Sequence, residues 1–145
     1  QYRIDSTVFV ATVAATDDPE GHRWTVWVTV PSLSAATGDT VGDAVAAGWF
    51  ETFERRLADA PKATRAALDL EGLSVERRGI DIVVTFEYTC DGPDRAVDIA
   101  KTLVEYVEGT YVEGTIPGYT YEPPVTDLLS QADTGGDAER GGTPL

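Results

Sequence analysis

The chain has 145 residues, 42% of them hydrophobic, and a formal net charge of -14. That is the length of one ordinary domain with enough apolar content for a core, which excludes wholesale disorder. Basic residues cluster only as the pairs Arg55-Arg56 and Arg77-Arg78, which excludes direct nucleic-acid binding, because that needs grouped Lys and Arg to displace phosphate counterions.

Residues 2–13 read as extended. Val8, Val10 and Thr12 alternate with Phe9, Ala11 and Val13, and Ser6-Thr7 supplies a bend dividing two strands. Asp17-Asp18-Pro19-Glu20-Gly21 is turn chemistry. From His22 to Val30 the pattern alternates again, with Trp24, Val26, Val28 and Val30 on one face and Thr25, Trp27 and Thr29 on the other. These two runs predict a hairpin. Pro31 to Gly38 reads as a Ser/Ala/Thr loop.

Asp39 or Thr40 offers an N-cap for a helix reaching about Ala60, with Val41, Val45, Trp49, Phe53 and Leu57 as its apolar stripe. Pro61 either ends that helix or starts a short second one through Leu68. Leu73 to Thr89 predicts two strands around a turn at Arg78-Gly79, with Ile82, Val84, Phe86 and Tyr88 on one face. Asp91-Gly92-Pro93 opens the last helix, whose buried stripe is Val97, Ala100, Val104, Val107 and Tyr111. The doubled Tyr-Val-Glu-Gly-Thr at 106–115 reads as a helix end carrying two glycine stop signals.

Residues 116–130 keep apolar anchors between Pro117, Pro123 and Pro124 and read as an ordered strap; from Gln131 the chain reads as a flexible tail. The expected organisation is one α+β domain over residues 1–130 with a tail over 131–145. Its fold is a mainly antiparallel sheet with two main helices on one face, in the order ββ(β)-α-ββ-α plus strap. That order is also similar to secretion-chaperone-like domains, which carry an additional leading helix; the likeness is one of topology and does not carry function.

The charge has a specific composition. Fourteen aspartates and eleven glutamates face nine arginines and only two lysines, Lys62 and Lys101. Short carboxylates hold water and cations, whereas the long lysine stem exposes apolar area. At molar salt the Debye length falls to about 3 Å and the self-repulsion of the chain is screened. The composition therefore predicts adaptation to a salty cytoplasm. A single cysteine, Cys90, permits no internal disulfide and fits a reducing compartment. No apolar run approaches the roughly 20 residues that span a bilayer, and no secretory signal pattern opens the chain. The chain begins in a strand pattern without an initiator methionine, so a segment ahead of residue 1 is expected.

Tyr2–Phe9 (YRIDSTVF), Pro31–Ala36 (PSLSAA), Gly48–Leu57 (GWFETFERRL) and Tyr106–Gly118 (YVEGTYVEGTIPG) together resemble a family of small acidic haloarchaeal proteins built on a domain of unknown function. The resemblance spans about residues 2–129 and implies salt adaptation. It implies no catalytic residues.

Candidate chemistry is sparse. His22 is the sole histidine and sits in an acidic turn, where carboxylates are expected anyway. Cys90 beside Asp91 has a disfavoured thiolate and reads as a small buried residue. Carboxylate groups such as Glu105, Glu108 and Glu113 carry little information against so dense a background. No phosphate-binding loop, calcium loop or zinc spacing is present, so no metal, cofactor or catalytic residue is expected. The aromatics say more. Trp27 opposes the core face of its strand, Phe50 lies beside the helix stripe, and Tyr119 and Tyr121 sit in the strap. These four form the expected interaction surface, used by a second copy or a protein partner. The rival reading is a small-ligand binder or a hydrolase with a pocket under the strap at 116–125, lined by Tyr119 and Tyr121; a third is an acidic mimic of nucleic acid.

Overall fold

The computed structural model describes residues 2–16, 23–59 and 70–132. The acidic turn with His22, the short helix expected after Pro61 and the tail beyond residue 132 lie outside these. Strands β1 (Tyr2–Ile4), β2 (Ala11–Ala15) and β3 (Arg23–Pro31) precede helices α1 (Leu33–Ala36) and α2 (Asp43–Leu57). Strands β4 (Leu70–Arg78) and β5 (Asp81–Thr89) then lead to α3 (Pro93–Glu113). A further helix, α4, occupies residues 125–132, continuing two residues past the expected domain end.

The five strands form one sheet in the order β1-β2-β3-β5-β4, antiparallel at every junction. The fold is α+β, as the strand and helix patterns predict. Two hairpins, β2-β3 and β4-β5, are joined through β3 and β5, which pair along their whole length from Arg23 opposite Thr89 to Pro31 opposite Asp81. Trp24, Val26, Val28 and Val30 of β3 and Ile82, Val84, Phe86 and Tyr88 of β5 are buried on one face. Helix α3 covers that face through Ala96, Ala100, Leu103, Val104, Val107 and Tyr111, and α2 packs on α3. A strand shows alternate residues to opposite faces, so this burial pattern assigns the inner, helix-covered face.

Several boundaries differ from the sequence expectation. Residues 6–9 form a bend, so β2 starts at Ala11 and not at Val8. The expected loop after Pro31 contains the single turn α1, with the Ser32 hydroxyl accepting from the Ala35 amide at 3.3 Å. Helix α2 starts at Asp43, after Gly42, and not after Asp39 or Thr40. Asp39 is used elsewhere: its carboxylate accepts from the Thr120 amide and its carbonyl from the Thr37 hydroxyl. Gly109 stops nothing. It lies inside α3, and only Gly114 serves as the C-terminal cap.

The strap is ordered by backbone bonds. Gly38 donates to the Thr120 carbonyl at 3.0 Å and Glu122 to the Ala36 carbonyl at 2.8 Å, making a short antiparallel bridge of Thr37 with Tyr121. Val125 and Leu128 of α4 then enter the core. No described helix is long and apolar enough to cross a membrane.

Candidate functional site

The face of the sheet opposite the helices carries the feature that burial of the core leaves unexplained. Trp27 is opposite Thr12 of β2 and Thr85 of β5; Thr12 is opposite Arg3 of β1, and Thr85 is opposite Ser74 of β4. Paired residues share a face, so Arg3, Thr12, Trp27, Thr85 and Ser74 make one row across all five strands. The adjacent row carries Thr29 opposite Val83, with the Thr29 amide bonded to the Val10 carbonyl at 3.1 Å. Trp27 is 38% exposed and Val10 54% exposed. The centre of this outer face, on β2, β3 and β5, is Val10, Thr12, Trp27, Thr29, Val83 and Thr85. None of these carries charge, in a chain of net charge -14.

Charges surround that patch: exposed Glu87 follows Thr85 on the same face of β5, opposite Thr25, and ion pairs stand further out. Arg23 meets Glu71 at 2.9 Å, and Arg78 meets Glu76 at 3.0 Å. Exposed pairs of this kind contribute only about 0–1 kcal/mol, so their effect is to balance the rim locally. Backbone groups at the centre of the row are consumed by the sheet, since β2, β3 and β5 are each paired on both sides. What it offers a ligand is a flat surface of β-branched side chains around one indole, suited to contact by area and unsuited to chemistry at a point.

The other candidate residues lie elsewhere and are not gathered with Trp27. Phe50 is on the helix side, where the Arg77 guanidinium carbon sits 4.3 Å from its ring centroid. Tyr121 forms the bridge with Thr37, and its hydroxyl accepts from the Ile116 amide at 2.8 Å. Tyr119 is partly buried against the core. Cys90 is buried, its Sγ 3.8 Å from the Gly92 carbonyl, and burial pushes its thiol up, away from the reactive thiolate.

A cleft of about 280 Å³ lies between α2 and α3, bordered by Val45, Gly48, Trp49, Phe53, Arg56 and Glu113. Its floor is the stacked pair Trp49 and Phe53, with centroids 5.3 Å apart, backed edge-on by Tyr111. Ile116 is the strap residue that reaches it; Tyr119 and Tyr121 do not line it. Val45, expected in the buried stripe of α2, is instead 43% exposed at its rim.

One carboxylate stands apart from the acidic background. Glu108 of α3 is buried and accepts the Phe9 amide at 2.7 Å; the Val8 amide also bonds to it. Burial raises its carboxyl above the ordinary value, and the two amides only partly offset this. Residue spacing contained the signal: Glu108 falls four after Val104 and three before Tyr111, within the buried stripe. Its role is to pin the bend at residues 6–9 to α3. Among the described residues no group of His, Cys, Asp and Glu is arranged to hold a metal ion.

The model of a family of unknown function (DUF5813) matches residues 1–131, nearly the whole chain, and the protein belongs to that family. No curated protein and no solved structure matches it.

Proposed function

We propose that this member of the family is a protein-binding, chaperone-like module without catalytic activity, working in the cytoplasm of a salt-adapted, haloarchaeal cell. The observation that carries the reading is the outer sheet face: an exposed indole, Trp27, flanked by the uncharged Thr12 and Thr85 at the middle of a five-strand row. Aromatic side chains ringed by uncharged neighbours dominate binding where proteins meet. Aspartate and glutamate in excess with two lysines support the solvent part of the reading. Phe50, Tyr119 and Tyr121 belong to the supporting structure in this reading, and Trp27 alone anchors the surface.

The test is capture from a host extract in molar salt by wild type and by Trp27→Arg, with Val45→Arg on α2 as a control. Proteins retained by wild type and by Val45→Arg but lost with Trp27→Arg support the module. An identical set for all three overturns it. A second reading, a small-ligand binder, is favoured by the aromatic floor of the α2–α3 cleft. Quenching of Trp49 emission by an apolar ligand, abolished by Gly48→Phe, is its expected signature.

A further inference from the structure

We infer that the free edge of β4 pairs antiparallel with the same edge of a second copy, about a two-fold axis through Val75 and perpendicular to the sheet, joining two five-strand sheets into one. This goes beyond the outer-face reading and leaves Trp27 open in both copies. The two edges of the sheet are not alike. β1 has three residues, a length at which proteins commonly blunt an edge, whereas β4 has nine. Among the described residues no backbone bond from outside the sheet reaches β4.

The hydrogen-bond phase of the sheet tells which groups that edge offers. The Thr29 amide bonds Val10 at 3.1 Å, so it faces away from Val83, its opposite residue on β5. Val83 therefore turns its own amide and carbonyl to Glu76 of β4, because bonded and non-bonded pairs alternate along antiparallel strands. The β4–β5 turn agrees. Its two-residue loop, Gly79-Ile80 with Gly79 at φ 65°, closes on a bonded pair, Arg78 with Asp81. Leu73, Val75 and Arg77 fall in the opposite phase, and their amides and carbonyls point away from β5 to the open edge. The irregularity between Leu70 and Gly72 ends the regular pairing, which leaves residues 72–78 as one run with Val75 at its midpoint.

That run is complementary to itself, which selects a second copy as the occupant. About Val75, antiparallel pairing sets Val75 on the partner's Val75 and Leu73 on the partner's Arg77, so each outward amide and carbonyl from 73 to 77 meets another. Leu73 and Val75, on the inner face opposite Phe86 and Val84, are only partly buried by their own chain and gain cover across the axis. On the outer face Ser74 meets the partner's Glu76, and Gly72 meets the partner's Arg78. Glu87 lies over Gly72, its Oε1 3.6 Å from where a Cβ would stand, so the arriving guanidinium finds a carboxylate. In a chain of net charge -14, β4 balances Glu71 and Glu76 with Arg77 and Arg78. Arg77, the inward-facing charge that would bar an approaching strand, is drawn over Phe50 at 4.3 Å. An axis at Glu76 would oppose two carboxylates, and an axis at Ser74 would run Arg77 into the irregular end of the strand.

The test is sedimentation of the full chain in molar KCl, with Val75→Pro and Val45→Arg. Wild type and Val45→Arg are expected as dimers. Val75→Pro removes an amide that the β4–β5 pairing does not use, and is expected to raise the dimer Kd roughly tenfold or more, since each copy loses one interchain donor. Far-UV circular dichroism shows whether that variant is folded. In a Cys90→Ala background, mixed Ser74→Cys and Glu76→Cys chains are expected to form a disulfide with each other faster than either does with itself. Both positions are exposed, and they carry the test if Val75→Pro is not folded. A monomeric wild type, a dimer indifferent to Val75→Pro, or self-linking faster than mixed linking overturns the proposal. Monomeric wild type whose extract partners still depend on Trp27 overturns the edge pairing and leaves the binding module standing.

Discussion

The Glu108 carboxylate accepts the Phe9 amide at 2.7 Å across 99 positions of sequence, tying the bend at residues 6–9 to the C-terminal third of α3. Phe9 itself stacks edge-on against Tyr111, one turn further along the same helix, at 5.1 Å. A polar and an apolar contact thus fix one segment in one place.

This pair has a defined pH dependence. Burial, the larger cause, raises Glu108 above its unfolded value. A carboxyl of that kind contributes its full stability below the unfolded value and loses it as pH rises through the raised folded value. Glu108→Gln keeps an oxygen acceptor for the Phe9 amide and removes the buried charge. It is expected to match or exceed wild type at neutral pH and to flatten the stability profile just above the ordinary carboxylate range. Glu108→Ala orphans the amide and is expected to cost about 1–3 kcal/mol. Urea unfolding of both variants from acid to neutral pH measures this; equal losses for Gln and Ala would contradict it.

Tyr111 is buried and donates its hydroxyl to the Pro31 carbonyl at 2.9 Å while its ring meets Phe9, Trp49 and Phe53 edge-on. Tyr111→Phe is expected to lose about 1 kcal/mol, the net worth of one hydrogen bond. Tyr111→Ala is expected to lose about 3–5 kcal/mol, the cost of emptying an aromatic site in a core. Denaturant midpoints with unchanged slopes are the readout.

Gly109 sits in the interior of α3, and a Cβ there meets nothing within 4 Å. Gly109→Ala is expected to stabilise the protein by about 0.5–1 kcal/mol through reduced backbone entropy of the unfolded chain. Gly79, in the β4–β5 turn at φ 65°, is also open to solvent, yet Gly79→Ala is expected to destabilise by about 1–2 kcal/mol because the left-handed conformation strains any Cβ. Opposite signs from two equally uncrowded glycines, measured by thermal unfolding, isolate the backbone term.

Salt is expected to raise the unfolding free energy steadily from dilute buffer to molar KCl, since screening relieves repulsion at a net charge of -14. Unfolding followed across a KCl series measures it, and a flat series would remove the argument from composition.

The two long helices show why one stripe was legible and the other was not. Val97, Ala100, Val104, Val107 and Tyr111 alternate steps of three and four, which holds them on one side of α3, and all but the partly buried Val97 are buried. Of the expected stripe, Val41 precedes α2, and Val45, Trp49, Phe53 and Leu57 advance by four each time. Each such step drifts about 40° around the helix, so the row winds away from any single neighbour. Trp49, Phe53 and Leu57 reach the core, and Val45 turns to solvent. The strand faces were readable because a period of two leaves no drift, which placed Trp27 on the outer face from sequence alone. Glu108 was obscured by its background: among eleven glutamates, a buried one differs only by its position in a stripe. The α2–α3 cleft was not legible, since it depends on how two helices splay and not on either helix by itself.

The joining of the two hairpins through β3 and β5 also sets an order of assembly. Each hairpin closes locally, but the nearest pair across the junction, Pro31 with Asp81, is 50 positions apart. During synthesis β3 leaves the ribosome long before its second neighbour exists, with Trp24, Val26, Val28 and Val30 along an unpaired edge. Such an edge invites pairing with another nascent chain. For this molecule, therefore, the hazardous interval in its life is the translation of residues 32 to 89, before β5 closes the seam.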